Sequence, residues 1–266
     1  METNTGLGSL SVCYVKTIGL TNNGDNGRGF ANPVSLAVSG DNRIFVLNRC
    51  DAITARAIRI GICNLDEQFL GEFGDGTGEG DTQFKLPTAL AFDSQERLHI
   101  TDEGFHRVTV FDSNGVFLYK WGKYGDQEGQ LNGPSGIAFD SGGNSYVVDQ
   151  HNHRVQKFTD EGQFILQWGE YGIRNGQFNM PWGVTVDLND NVYVADWRND
   201  RIQKFSTTGN FIGAFGVSGV EDGCFNRPSD VAVDSAGYIY VSDWGNHRVQ
   251  VFRSDGSFEV KLRGEA

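Results

Sequence analysis

The chain has no run of lysines and arginines, no apolar stretch long enough to span a membrane, and only five prolines and four cysteines in 266 residues. Each scarcity excludes something. With a formal charge of -12, the surface repels phosphate backbones, so nucleic-acid binding through neutralising cations is not expected. The first thirty residues lack a basic start followed by a long apolar segment; no signal peptide or membrane span is expected, and the cytoplasm is the default compartment. Cys13, Cys50, Cys63 and Cys224 form no CxxC pair and are too sparse for a secreted disulfide framework. Reduced thiols are expected. No helix-period apolar pattern persists beyond a few residues, which excludes a helical scaffold.

What is abundant points to short strands joined by tight turns: 36 glycines, 19 phenylalanines and a hydrophobic content of 38%. The class is all-β. The prolines supply a ruler. Pro87, Pro134, Pro181 and Pro228 are each 47 residues apart, and Pro33 precedes Pro87 by 54. A fixed period of this length is the mark of a repeat architecture. The units after proline read "LPTALAFDSQERLHITD", "GPSGIAFDSGGNSYVVD", "MPWGVTVDLNDNVYVAD" and "RPSDVAVDSAGYIYVSD", and the first reads "NPVSLAVSGDNRIFVLN". Each unit has room for four strands with Gly, Asn, Asp or Ser between them. Four antiparallel strands repeated as a block make a propeller blade, whereas a sandwich gives no reason for a strict copy. Of the seven extra residues in the first unit, six fall within "RCDAITARAI" and one before Pro87.

These blocks resemble the NHL-repeat β-propellers, whose unit runs PxGIAVD, GNxYVAD, NHRIQVF and GxFxxxFG. The resemblance covers residues 11–266 as a single domain behind a tail of residues 1–10. It implies a six-bladed plan in which an N-terminal strand, here "SVCYVKTIG", completes the last blade. Five complete repeats are present and the inner strands of a sixth are not. An incomplete six-blade ring is therefore expected, with self-association through unpaired strand edges. A closed five-blade ring is the alternative.

The segments "NHRVQKF", "NDRIQKF" and "NHRVQVF" begin at 152, 199 and 246. His153, Asp200 and His247 thus alternate in one slot, and His106 fills it in an earlier unit. One copy per blade keeps these histidines apart, so a metal cluster is not expected. Asp149 and Arg154, with Asp102 and Arg107, and Asp243 and Arg248, flank the turn and can bond its backbone and each other. His99 and His151 fall outside this slot and are expected at the surface. Trp121 and Trp168 share a slot with Phe73 and Phe215 and are expected in the packing between blades.

Trp182, Trp197 and Trp244 fill slots held in other repeats by Val, Thr, Ser, Arg, Glu or Gln. The resemblance implies that these slots lie at the mouth of the central channel, which gathers Trp182, Trp197, Trp244, Asp230 and Arg49 at one rim. Aromatic faces with polar surroundings suit a protein, peptide or small ligand. Related amidating lyases carry zinc-binding histidines directly after the blade proline. Here those positions hold Val34, Thr88, Ser135, Trp182 and Ser229. Lactonase-like propellers use inward carboxylates, of which Asp230 alone is identified. "DLNDN" at 187–191 reads as a β-turn, since other repeats carry a turn there too, although its alternating oxygens also suit calcium. The expectation is a non-catalytic binding or scaffold propeller with no cofactor and no metal ligands. The alternative is a propeller hydrolase or lyase with a divalent metal at the channel mouth.

Overall fold

The computed structural model describes residues 10, 16–18, 29–49 and 57–263. Its twenty strands form five four-stranded antiparallel sheets, each built in chain order. The first blade is β1 (Pro33–Val38), β2 (Ile44–Asn48), β3 (Arg59–Cys63) and β4 (Phe69–Phe73). The second is β5 (Pro87–Phe92), β6 (Leu98–Asp102), β7 (Arg107–Phe111) and β8 (Phe117–Trp121). The third is β9 (Pro134–Phe139), β10 (Ser145–Asp149), β11 (Arg154–Phe158) and β12 (Phe164–Trp168). The fourth is β13 (Val184–Val186), β14 (Val192–Asp196), β15 (Arg201–Phe205) and β16 (Phe211–Phe215). The fifth is β17 (Pro228–Val233), β18 (Ile239–Asp243), β19 (Arg248–Phe252) and β20 (Phe258–Arg263).

Blade packing follows from the alternation of each strand. Four apolar clusters fill the four successive blade interfaces, for example Phe45, Leu47 and Ile60 of the first blade against Leu90, Leu98 and Phe111 of the second. Each connector drives one plug between blades: Phe84, Leu131, Phe178 and Phe225 are all fully buried. Trp121 packs on Phe158 at 4.7 Å between ring centres, and Trp168 on Phe205 at 5.6 Å, as expected of packing residues. The fourth-strand turn glycines lie so close to the preceding blade that a Cβ on Gly162 would meet the Trp121 ring at 2.3 Å. With φ of +83°, Gly162 also occupies backbone space that side chains avoid.

Five blades in a ring correct the expected six-blade plan in favour of its alternative. All described strands are consumed by complete four-stranded sheets, which leaves no partial sheet to wait for a sixth blade. Most of the N-terminal strand expected at "SVCYVKTIG" lies outside the described residues, as do positions 50–56 of the long first-blade turn. The described residues beside that strand touch both end blades. The Leu10 N–H donates to Glu259 Oε1 at 3.2 Å, and Lys16 Nζ lies 3.7 Å from Glu67 Oε1. At this seam β1 turns Val34, Leu36 and Val38 outward with 40%, 65% and 54% of their surface exposed, whereas Leu90, in the slot of Leu36, is 4% exposed. Among the described first strands, β1 alone turns large apolar side chains outward in this way.

Candidate ligand-binding face

The turn between second and third strands shows why one slot accepts both His and Asp. His106, His153, Asp200 and His247 all adopt left-handed backbone conformations with φ between +52° and +55°. His106 Nδ1 accepts the Gly133 N–H at 3.1 Å, and His153 Nδ1 accepts the Met180 N–H at 3.1 Å. Asp200 Oδ1 accepts the Arg227 N–H at 2.7 Å. The donor is always the residue before the next blade's proline. A short side chain with an acceptor at that reach is all the slot requires, and imidazole and carboxylate both supply it. The histidines act here as neutral acceptors. Burial, then the nearby His151, pushes the pKa of both His106 and His153 down.

The flanking Asp and Arg form a second stitch. In the third blade Arg154 Nε donates to Asp149 Oδ2 at 2.7 Å, while its Nη2 donates to the Gln127 and Gln130 carbonyls at 2.9 and 3.0 Å. Asp149, with no exposed surface, also accepts from the Asn132 N–H, Asn152 Nδ2 and Gln156 Nε2. The fourth and fifth blades repeat the arrangement at Asp196 with Arg201 and at Asp243 with Arg248. The second blade keeps only part of it. Arg107 still donates to the Gly80 and Gln83 carbonyls, but Asp102 takes four backbone N–H groups instead of the arginine. Phe105 and Thr109 replace the Asn and Gln that complete the set elsewhere.

Pro134 pairs with Asp149 and Pro228 with Asp243. The residues after proline and the turn after the second strand therefore share one end of the propeller. On this face Trp182 and Trp197 come together, with ring centres 5.9 Å apart. Trp197 opens the 3₁₀ turn Trp197–Asn199 and Trp244 opens the turn Trp244–Asn246 of the next blade. Trp244 is 58% exposed, and Trp182 and Trp197 are half-buried. Arg227 lies 5.1 Å and Arg198 5.4 Å from the Trp197 ring centre. Neither arginine was singled out from the sequence. The signal was present, because the Arg227 slot holds Leu86, Gly133 or Met180 in other repeats and the Arg198 slot holds Gly104, His151 or Gly245. Tyr124 and Tyr171, each 67% exposed, pack on His106 and His153 and extend the aromatic surface outward.

Asp230 lies against the fourth blade's inner strand, where a Cβ on Gly183 would meet its carboxylate. The residue keeps exposed surface. Desolvation raises its carboxyl to about 6, against the Val231 N–H it accepts at 2.9 Å. Arg49 pairs with Glu103 at 2.9 Å across the first and second blades, so its charge is engaged between neighbouring turns. His99 is a second correction. Expected at the surface, it has no exposed area and its Nε2 lies 3.1 Å from Asp93 Oδ2. Burial pushes the Asp93 carboxyl up, but His99 and Arg97 overcome it and hold the pKa at about 2. His151 is partly exposed beside Glu103, at 3.5 Å. "DLNDN" is a turn whose Asp187 Oδ1 accepts the Asn189 and Asn191 N–H groups. No group of three potential metal ligands occurs among the described residues, and no described helix is long and apolar enough to cross a membrane.

The NHL repeat family model matches residues 131–158, 178–205 and 225–252. NHL repeat-containing protein 3 of Homo sapiens is 30% identical over 101 residues, a match covering 38% of this chain and 28% of that protein. The chain thus matches less than a third of the relative's length. A streptogramin B lyase structure superposes with a TM-score of 0.66 at 13% identity, covering 95% of this chain and 74% of that one. A chain of a nidogen/laminin complex superposes with a TM-score of 0.64 at 16% identity, covering 87% and 80%. At such identities the shared property is the fold.

Proposed function

The chain is an NHL-repeat β-propeller, and from that premise we propose that it is a non-catalytic recognition module that binds a protein or peptide on the face carrying Trp182, Trp197 and Trp244. The observation that carries this reading is the pairing of Trp182 with Trp197, with the exposed Trp244 opening the equivalent turn of the next blade. The repeat does not require tryptophan in any of these slots, since other blades fold with Ser, Thr, Gln or Glu there. Large aromatic side chains kept at a surface are the residues that most often anchor a partner. An exposed aromatic surface suits an extended ligand better than an enclosed small molecule. In this reading the protein works in the cytoplasm, and the Asp–Arg and His stitches hold the rim rigid so that little ordering is lost on binding.

Selection of a displayed random-peptide library on the whole chain tests this, with the Trp182→Ala/Trp197→Ala/Trp244→Ala variant as comparison. Enriched peptides should bind the folded variant at least about tenfold more weakly. Enriched peptides that bind both proteins equally would remove the ligand from this face.

The second reading is a hydrolase or lyase with a divalent metal at the channel mouth. Asp230 favours it, as an exposed carboxylate on the fifth blade's first strand with no cationic partner among the described residues. Metal analysis of purified protein, followed by chelation and re-addition, separates the two readings. Stoichiometric metal whose loss abolishes turnover of a lactone or ester panel would favour the enzyme.

A further inference from the structure

Among the described residues, Trp197 is the one aromatic ring flanked by two guanidinium groups, Arg227 at 5.1 Å and Arg198 at 5.4 Å. Both arginines are exposed. Most other described arginines are neutralised, as Arg49 is by Glu103, Arg154 by Asp149 and Arg253 by Glu259. The side chains of Arg198 and Arg227 lie against the ring of Trp197, and among the described residues no carboxylate lies within ion-pair distance of either. In a chain with 34 acidic residues against 22 basic ones, two such cations on one ring form a local charge surplus. A guanidinium laid on an indole is held in place while its N–H edge stays free for a carboxylate. Trp182, next to Trp197, adds an apolar surface beside that edge.

We propose that this cluster binds an acidic peptide segment. An Asp or Glu side chain is taken by Arg198 and Arg227 beside Trp197, and an adjacent apolar side chain lies on Trp182. The inference rests on the recognition reading of this face and adds the charge and class of the ligand. The acidic connectors "GDQEG" and "GVEDG" are tied to the turns of this face, by Asn152 to the Gly125 carbonyl and by Asn246 to the Gly219 carbonyl. They repel the same peptide elsewhere, so the arginine pair would set its register as well as its affinity. A nucleic acid carries a charge at every residue, so the formal charge of -12 opposes it more than a short peptide segment whose few carboxylates meet the two arginines.

The test uses the whole chain labelled with 5-fluorotryptophan, with the Trp197 fluorine signal assigned through Trp197→Phe. Four probes are titrated: a capped Glu-Trp-Glu-Trp-Glu peptide, its Gln-Trp-Gln-Trp-Gln counterpart, inorganic phosphate and a ten-residue oligouridylate. The acidic peptide should shift the Trp197 signal saturably and bind roughly tenfold or more tightly than the Gln peptide. Arg198→Gln/Arg227→Gln should abolish that preference, and Arg198→Lys/Arg227→Lys should retain part of it. Equal binding of the two peptides overturns the acidic-ligand inference while leaving an aromatic recognition face standing. No shift with either peptide overturns it as well. Saturation by phosphate with the same shift would make this a bare anion site, and tighter binding of the oligouridylate would make the ligand a nucleic acid. Because the peptide comparison is made on the wild-type chain, it decides the matter even if an arginine variant fails to fold.

Discussion

Replacing Arg154 by Ala removes the centre of one blade's stitch. The Arg154 side chain is 8% exposed and that of its partner Asp149 is fully buried. The guanidinium spends its donors on Asp149 Oδ2, on Gln167 Oε1 at 2.6 Å, and on the Gln127 and Gln130 carbonyls. The substitution strands a buried carboxylate, which keeps three neutral donors but loses its counter-charge, and it removes two of the bonds that tie the connector to the blade, leaving the Gln130 carbonyl with Gln156 Nε2 alone from the blade. Breaking a buried ion pair from one side costs ~3–5 kcal/mol. For a domain of this size, at about 2–4 °C per kcal/mol, that lowers the melting temperature by roughly 6–20 °C. His153→Asp is the matched control in the same turn. Its carboxylate can accept the Met180 N–H as Asp200 accepts that of Arg227, so the loss should stay below about 1 kcal/mol. Calorimetry of both variants at one scan rate reads the difference. A shift under about 2 °C for Arg154→Ala, or a larger loss for His153→Asp than for Arg154→Ala, refutes the stitch.

The histidine slots predict a pH dependence. Because the folded pKa of His106 and His153 lies below the ordinary value, their contribution is fully present above about pH 6.5 and is lost as pH falls through the folded values. The melting temperature should therefore fall between pH 7 and pH 5 less steeply in His106→Asp/His153→Asp than in wild type, and equal slopes would contradict the acceptor role. The rim tryptophans should matter little to folding. Trp168→Ala should cost ~3–5 kcal/mol, whereas Trp244→Ala, at a side chain 58% exposed, should shift stability by about 0.5 kcal/mol or less in urea melts. A comparable loss in both returns Trp244 to the core. The open face of β1 predicts weak self-association. Sedimentation velocity should show concentration-dependent dimers that Leu36→Glu reduces, and a wild type monomeric at all concentrations would remove the seam as a contact.

Most of the architecture was legible because repetition turns a weak local signal into a strong one. Four prolines in phase, a fifth seven residues out of it, and recurring turn residues placed the four strands of every blade, and the His–Asp interchange at 153 and 200 pointed to a structural turn. Failures came where one residue departs from its column. His99 fills the slot of Tyr146, Tyr193 and Tyr240, and that alignment implies a buried position bonded to the turn aspartate, as Tyr146 bonds Asp140 at 2.9 Å. Comparing His99 with the other histidines instead of with its own column hid this. The pairing of Arg49 with Glu103, which occupies the same slot one blade on, was not legible, because sequence carries no sign of which way a side chain leans across an interface. Blade count was the hardest quantity, because closure depends on the angle between blades, which no single repeat encodes. Arg198 and Arg227 were missed since they come together only through adjacent blades.

Hydrogen exchange of the whole chain with and without a library-selected peptide is the most direct measurement of the central claim. Binding at the tryptophan face should slow exchange at residues 179–199 and 226–246, the segments that carry Trp182, Trp197, Arg227 and Trp244. The turns at 93–97, 141–144 and 187–191, at the opposite end of the blades, should be unchanged. Protection confined to those opposite turns would contradict the account.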